Sequence, residues 1–255
     1  MTWDPKIYRQ GNYFQNEISE SFRKNFDSQL FGNILDIGCG DGYYSNLVAN
    51  SVKQGQVLGI DSSADMIHYA NEHWANKNLT FQRHNIEEFQ QDSTFDFILS
   101  FWCLHWTNVK LSLPNIFNAL KNGGIFYTVF SSFSDNSILQ TWAELAKQEN
   151  YIDLKNRCKN TDEKSKSNFY LLINILNQLP FKRVNLNLKT TRTYLPDINY
   201  FKNLLVAMPF IKTFPSERLE VLINDMLEAF QVICQRKYAG KLYYETRPIF
   251  LEAVK

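Results

Sequence analysis

Three glycines at alternate positions, Gly38, Gly40 and Gly42, follow the apolar residues Ile34, Leu35 and Ile37, and an acid, Asp36, lies just ahead of them. Glycine adopts positive φ without a steric penalty and carries no side chain, so this spacing lets the backbone turn sharply and bring its N–H groups against a ligand. A second acid, Asp61, closes the run V-L-G-I about 20 residues further on. A carboxylate there is placed to accept hydrogen bonds from both hydroxyls of a ribose, worth on the order of 1.5–3 kcal/mol of net binding. The two features together imply a nucleotide-type cofactor site. The spacing is not that of a phosphate loop, which needs Lys followed by Ser or Thr, nor of G-x-G-x-x-G, since the third glycine comes one residue early. The alternatives are an ordinary tight turn at the glycines and a helix N-cap at Asp61, where Ser62 or Ser63 can share the capping.

The elements that must hold these residues are legible around them. Ile34, Leu35 and Ile37 read as the end of a strand buried on both faces. A helix is expected from about Asp41 or Gly42 through Ala49, which puts the glycine turn at a helix N-terminus and at the carboxyl end of a parallel strand. Further strands are predicted at Gln56–Ile60, Leu79–Arg83, Phe95–Phe101 and Ile125–Phe130. Helices are predicted at Ala64 to about Trp74 and at about Leu111–Leu120, the latter ended by the glycines of K-N-G-G, Lys121–Gly124. Beyond residue 130 the pattern predicts helices at Ser137–Asn150, Phe169–Leu179, Asp197–Ala207 and Ser216 to about Tyr238. It predicts strands at Val184–Tyr194 and within Tyr243–Val254. Arg157–Asn168 is charged and lacks periodicity, which reads as a loop, either over the site or plain surface.

Composition narrows the class. The chain has 255 residues, 44% apolar and 21% charged, and a formal net charge of +1 without a basic block. That is ordinary globular usage, and the electrostatic footprint of a nucleic-acid binder is missing. Cys39, Cys103, Cys158 and Cys234 show no C-x-x-C spacing and form no metal pattern with His68, His73, His84 and His105, so reduced thiols and no metal are expected. The start, M-T-W-D-P-K-I-Y-R-Q, lacks the parts of a signal peptide, and no run approaches a membrane span. A cytoplasmic protein acting on a small molecule is expected, as a monomer or homodimer.

The glycine spacing with its preceding acid resembles the first motif of the class I S-adenosylmethionine-dependent methyltransferases. The resemblance implies an α/β, doubly wound, Rossmann-like sheet of seven mostly parallel strands with a helical lid. In that fold the last strand enters antiparallel between the fifth and sixth. It also implies S-adenosylmethionine as cofactor, with Asp36, Gly38, Cys39, Gly40 and Gly42 around its methionine part and Asp61 and Ser62 at its ribose. Met66 falls in the family pattern D-x-S-x-x-M-I near the adenine, although a core position on the helix face explains it better than direct contact. Asn85 stands where the family usually has Asp; its side-chain carbonyl and the Ile86 N–H are the candidate adenine contacts. Ser100 and Phe101 end the fourth strand beside the sulfonium.

S-F-W-C-L-H-W, Ser100–Trp106, resembles S-F-Y-C-L-H-W of juvenile hormone acid methyltransferases and a looser motif of trans-aconitate and malonyl-carrier-protein methyltransferases, all of which act on a carboxylate oxygen. Trp106 would line the substrate pocket, and His105 would donate a hydrogen bond or else simply pack. Trp102 and Leu104 read as core. W-D-P-K-I-Y and Y-R-Q-G-N-Y-F-Q near the start resemble the openings of the same families. They imply that residues 1–32 form an N-terminal lid segment and that Gln15 contacts the substrate carboxylate, the alternative being a polar helix face. The expected organisation is residues 1–32 as lid and 33–255 as the methyltransferase domain, with helical cap contributions from about 137–180 and 197–238. The resemblance implies transfer to the carboxylate of a small or medium acid. A small-molecule N- or C-methyltransferase and a non-catalytic S-adenosylmethionine-binding module remain the alternatives, because a fold does not fix the acceptor.

Overall fold

A computed structural model of the chain describes residues 3–52, 54–132 and 136–255. Met1 and Thr2 of the N-terminal segment, and the Cys158 thiol, lie outside the described residues. Two helices open the chain, α1 (Pro5–Gly11) and α2 (Tyr13–Arg23). Asp4 caps α1 by accepting from the N–H groups of Lys6 and Ile7, and Pro5 at the first helical position is preset for the helix. Alternation follows: β1 (Gly32–Ile37), α3 (Tyr43–Ser51), β2 (Gly55–Asp61), α4 (Ala64–Trp74), β3 (Leu79–Arg83), β4 (Phe95–Phe101), α5 (Val109–Ala119) and β5 (Leu120–Phe130). Then come α6 (Ser137–Leu145), α7 (Ile152–Gln178), β6 (Arg183–Leu188), β7 (Thr191–Tyr194), α8 (Ile198–Ala207), α9 (Ser216–Tyr238), β8 (Tyr243–Thr246) and β9 (Ile249–Val254).

The main sheet has seven strands in the order β3-β2-β1-β4-β5-β9-β6, with β9 antiparallel to both β5 and β6 and the other pairings parallel. This is the doubly wound arrangement expected, and its order reverses between β1 and β4. Ile34, Leu35, Ile37, Ile98 and Leu99 are essentially inaccessible, which is why these runs are apolar on both faces. One core, holding Ile34, Phe97, Phe101 and Val129, lies under α2, α3 and the α6, α8 and α9 group; the other, holding Leu35, Ile98 and Phe126, lies under α5 and the second half of α7.

Four expectations are corrected. Residues 157–168 are helix, the middle of α7, because Leu154 anchors one end in one core and Leu172, Ile175 and Leu176 anchor the other end in the second, and the polar stretch between them continues the same hydrogen-bonding ladder. The glycines of Lys121–Gly124 do not cap α5, which ends at Ala119. The segment bulges within β5, where Leu120 pairs with Phe95 and Ile125 with Phe97, and Gly123 takes φ +81°. The strand expected at Val184–Tyr194 is two, β6 in the main sheet and β7 in a small second sheet with β8. Likewise Tyr243–Val254 divides into β8 and β9. Both breaks fall at one level, since Leu188 pairs with Ile249 and Thr191 with Thr246, so Lys189–Thr190 faces Arg247–Pro248. Proline has no N–H to give the ladder there.

Candidate active site

The site is built where β1, β2 and β4 end. After Ile37 the chain turns through Gly38, Gly40 and Gly42, at φ +70°, +55° and +80°. The N–H groups of Gly38 and Cys39 donate to the Ile60 carbonyl at 2.8 and 3.0 Å, and the Gly40 N–H donates to Asp61 Oδ2 at 3.1 Å, so the loop is tied to the end of β2. The other Asp61 oxygen accepts from the Ser63 N–H at 2.8 Å, and Ser63, not Ser62, is the N-cap of α4. Gly38 has no room for a side chain: a Cβ would stand 2.4 Å from both Cβ and Sγ of Cys103.

Asp36 is 2% exposed, and its Oδ2 accepts from the Ser45 hydroxyl at 2.5 Å. Burial pushes its carboxyl up to about 6, against the pull of the Ser45 hydrogen bond. Burial also raises Asp61, opposed by the N–H groups of Ser63 and Gly40, and raises Asp41. Asp41 Oδ1 accepts from the Tyr43 N–H, while Oδ2 is buried with no partner among the described residues. The thiols of Cys39 and Cys103 are raised by burial, Cys103 to about 12, and both are protonated near neutral pH.

A small cavity, partly open to solvent, lies against this loop, bounded by Asp36, Gly38, Cys39, Asp41, Tyr43 and Tyr44 on one side. Tyr8, Asn12, Gln15, Asn16 and Ser19 wall it from α1 and α2, and Phe101 and Trp102 from the end of β4. Gln15 is therefore where a ligand can reach it, in a buried position rather than on a solvent-exposed helix face. Trp102 holds φ +57°, an uncommon conformation for a residue with a side chain, and its indole N–H donates to the Gln15 carbonyl at 3.2 Å and the Ser19 hydroxyl at 3.0 Å. Trp102 is thus both packed, as the sequence suggested, and part of the cavity wall. Tyr8, Asn12, Asn16 and Ser19 went unnoticed in the sequence, although their spacing of four, four and three is a polar stripe on a helical period.

Other candidates sit differently from expectation. The Ser100 hydroxyl is inaccessible and donates to the Ile37 carbonyl at 3.1 Å, so it ties β4 to β1 rather than facing a ligand. Trp106 is 42% exposed and does not line the cavity; its ring packs edge-on against Trp3 at 5.9 Å. His105 lies beside it, half-buried, and its Nδ1 accepts from the Ser131 N–H at 3.3 Å. Burial pushes the imidazole down to about 3, so it is neutral, with the proton on Nε2. Met66 is core, 2% exposed. Asn85 is half-buried with its side-chain carbonyl accepting from the Glu87 N–H at 3.1 Å, and Ile86 is buried beneath it.

This strand order, with a glycine turn after β1 and an acid after β2, is matched among known proteins. A family model described as "Methyltransferase domain" covers residues 32–186, more than half of the chain. The chain belongs to the methyltransferase-domain family. Its cofactor is S-adenosylmethionine. The juvenile hormone acid O-methyltransferase of Drosophila melanogaster is 28% identical, over 87% of this chain and 80% of that protein. The malonyl-[acyl-carrier protein] O-methyltransferase of Bacillus anthracis is 30% identical over 57% of this chain, and the chain spans about half of that relative, 56%. The solved structure of the YcgJ protein from Bacillus subtilis shares the fold with a TM-score of 0.54 at 16% identity, covering 88% of this chain and 92% of that one. Among the described residues no helix is long and apolar enough to cross a membrane.

Proposed function

We propose that this methyltransferase transfers the methyl group of S-adenosylmethionine to a carboxylate oxygen of a small or medium organic acid. The site fits the cofactor: the buried Asp41 Oδ2 has no partner among the described residues, Asp36 adds a second buried carboxyl at the same cavity, and a cationic amino-acid end answers both. Gly38, Cys39, Gly40 and Gly42 would cradle that end, Asp61 with Ser62 the ribose, and Asn85, Ile86 and Phe101 the rest, with Met66 packed in the core beneath. When bound, S-adenosylmethionine supplies a methyl group activated by its sulfonium.

The observation that carries the choice of acceptor is the lining of the cavity, which among the described residues presents the amides of Asn12, Gln15 and Asn16 and no histidine or lysine to serve as a base. His105 is neutral with Nδ1 engaged, the Cys39 and Cys103 thiols hold their protons, and the buried carboxyls answer the cationic donor. A carboxylic acid is already an anion near neutral pH and needs no base to become a nucleophile. Neutral amides from Asn12, Gln15 and Asn16 face the cavity and can orient such an anion without quenching it as an arginine would. Orientation and exclusion of water then supply the rate, with about 7–11 kcal/mol available from positioning alone. The names of the two O-methyltransferase relatives support the same acceptor class. Residues 1–32 serve as the lid over the site, with cap contributions from α6, α8 and α9.

The test is to incubate purified protein with S-adenosylmethionine and a panel of carboxylic acids, amines and phenols, and to follow S-adenosylhomocysteine release. Turnover is expected with acids and not with their methyl esters. Turnover confined to amines or phenols overturns the proposal.

A further inference from the structure

The glycine loop is covered by one side chain from a helix outside the sheet. The Tyr8 ring of α1 lies on Gly40, its Cε1 3.5 Å from where a Cβ would be. Tyr8 also feels Asp41, Asp61 and Cys103, and desolvation with these charges raises its phenol far above the ordinary value. The neighbouring Arg9 is exposed, yet its guanidinium is held against aromatic rings. Its guanidinium lies 5.5 Å from the centre of the Tyr43 ring and 5.6 Å from that of Trp74, within cation–π range of both, and its Nη1 donates to the Tyr69 hydroxyl at 3.3 Å. Tyr43 opens α3, directly after the glycine loop, while Tyr69 and Trp74 belong to α4, so Arg9 bridges both helices that flank the cofactor loop. Two further contacts hold the same short helix. Gly11 approaches α8 so closely that a Cβ would stand 2.5 Å from Ala207, and Trp3 packs between Tyr8 at 5.8 Å and Trp106 at 5.9 Å.

We propose that Arg9 is a positioning residue: held between Tyr43 and Trp74, it seats Tyr8 over the glycine loop, so that the cofactor and its product exchange only when these contacts break. The proposal rests on the S-adenosylmethionine site described above. Arg9 lies outside the cavity wall; its charge reaches Asp41 through space, but it touches no ligand position and seats the site through the helix that carries Tyr8. A contact of this kind raises the barrier to opening and leaves the ligand's own contacts in the closed state unchanged. It therefore slows entry and exit together.

That signature separates gating from general damage. Stopped-flow protein fluorescence with S-adenosylhomocysteine as the probe measures both rate constants, since Trp74 and Trp102 lie near the site. Arg9→Ala is expected to raise the association and the dissociation rate constants each about tenfold, with the dissociation constant moving less than threefold. Arg9→Lys, which keeps the charge but not the planar group, is expected to fall between. Tyr69→Phe, which removes only the hydrogen bond, should raise both about twofold. Arg9 is exposed, and unchanged circular dichroism and melting temperature of the variants serve as the folding control. For Arg9→Ala, a dissociation rate within twofold of the parent overturns the proposal. So does faster dissociation with unchanged association, which marks a lost ligand contact or a loosened site. If the parent chain fails to bind the probe at all, the cofactor site itself is refuted and the gate with it, an outcome distinct from normal binding with unaltered kinetics.

Discussion

Replacing Gly38 by alanine tests whether the glycine loop is a rigid cradle. Two costs are visible. Gly38 sits at φ +70°, where an L-residue is disfavoured by about 1–2 kcal/mol. Its new Cβ would also stand 2.4 Å from Cβ and Sγ of Cys103, and overpacking of this kind costs about 1–3 kcal/mol. Together they predict a loss of about 2–5 kcal/mol, a large share of the stability of an ordinary domain. The two terms are separable, because with Cys103→Gly the nearest remaining atom is the residue 103 Cα at 3.8 Å, an ordinary contact. In a double-mutant cycle, Cys103→Gly should restore the crowding part to Gly38→Ala and leave the backbone part.

Urea unfolding of the four proteins gives the stabilities, and titration with S-adenosylhomocysteine reports the site. Gly38→Ala should bind weakly, and the double variant should recover part of that affinity. A loss below about 1 kcal/mol, or the same loss with and without the Cys103 side chain, would mean that the loop yields freely. The picture of a fixed backbone cradle would then be wrong.

Two pH dependences follow from the charged groups. Burial holds Asp36 at about 6 in the folded chain, above its ordinary 3.8, so ionised Asp36 costs stability above about pH 6 and that cost disappears as the pH falls towards 3.8. Asp36→Asn should accordingly be more stable than the parent near neutral pH. Affinity for S-adenosylhomocysteine, by calorimetry, should fall as Asp36 is protonated below about pH 6, and this limb should be missing in Asp36→Asn; a flat parent profile speaks against Asp36 as the partner of the ammonium. Glu245 behaves in the opposite sense. Burial would raise it, but Arg192, Tyr238, Gln140 and Lys237 all hydrogen-bond to it and together hold it at about 2, below its ordinary 4.5. Its contribution is present above about pH 4.5 and lost as the pH falls towards 2. Glu245→Gln should lower the urea midpoint near neutral pH and flatten the acid limb, and a midpoint unchanged at both ends would count against the network.

The first half of the fold was legible because each element carries its own signal. The β1, β2 and β4 runs are apolar on both faces, β3 alternates buried Leu79 and Phe81 with exposed polar residues, and α4 starts where Ser63 can cap it. What was not legible depends on partners distant in sequence. Nothing within residues 157–168 says helix; the docking of Leu154 at one end of α7 and of Leu172, Ile175 and Leu176 at the other explains why the polar stretch between them is one. The K-N-G-G segment has the residues of a helix cap, yet the register of β5 against β4 turns it into a bulge. Part of the site was legible for a similar reason. Asp36, the glycines and Asp61 are marked by position along their own strands. The stripe Tyr8, Asn12, Gln15, Asn16 and Ser19 looks like any polar helix face until α2 is laid across the strand ends.

Two acids inside apolar strands show how position decides role. Asp96 in β4 and Asp36 in β1 are alike as sequence, one aspartate in an otherwise buried run. Asp96 lies at the amino end of the sheet, and its oxygens accept from Lys121 Nζ at 2.8 and 3.0 Å and from the Asn33 N–H at 2.8 Å, so its charge is matched within the chain. Asp36 lies at the carboxyl end and has only the Ser45 hydroxyl. There it keeps company with an Asp41 oxygen unpartnered among the described residues and a left-handed Trp102, features that each cost of order 1–3 kcal/mol. A folded chain keeps such costs together only where the surrounding structure enforces them, here the stiff β1, β2 and β4 core on one side and α2, tied down by the Trp102 indole, on the other. The matched acid therefore belongs to the scaffold. The unmatched one belongs to the ligand, whose cation completes it.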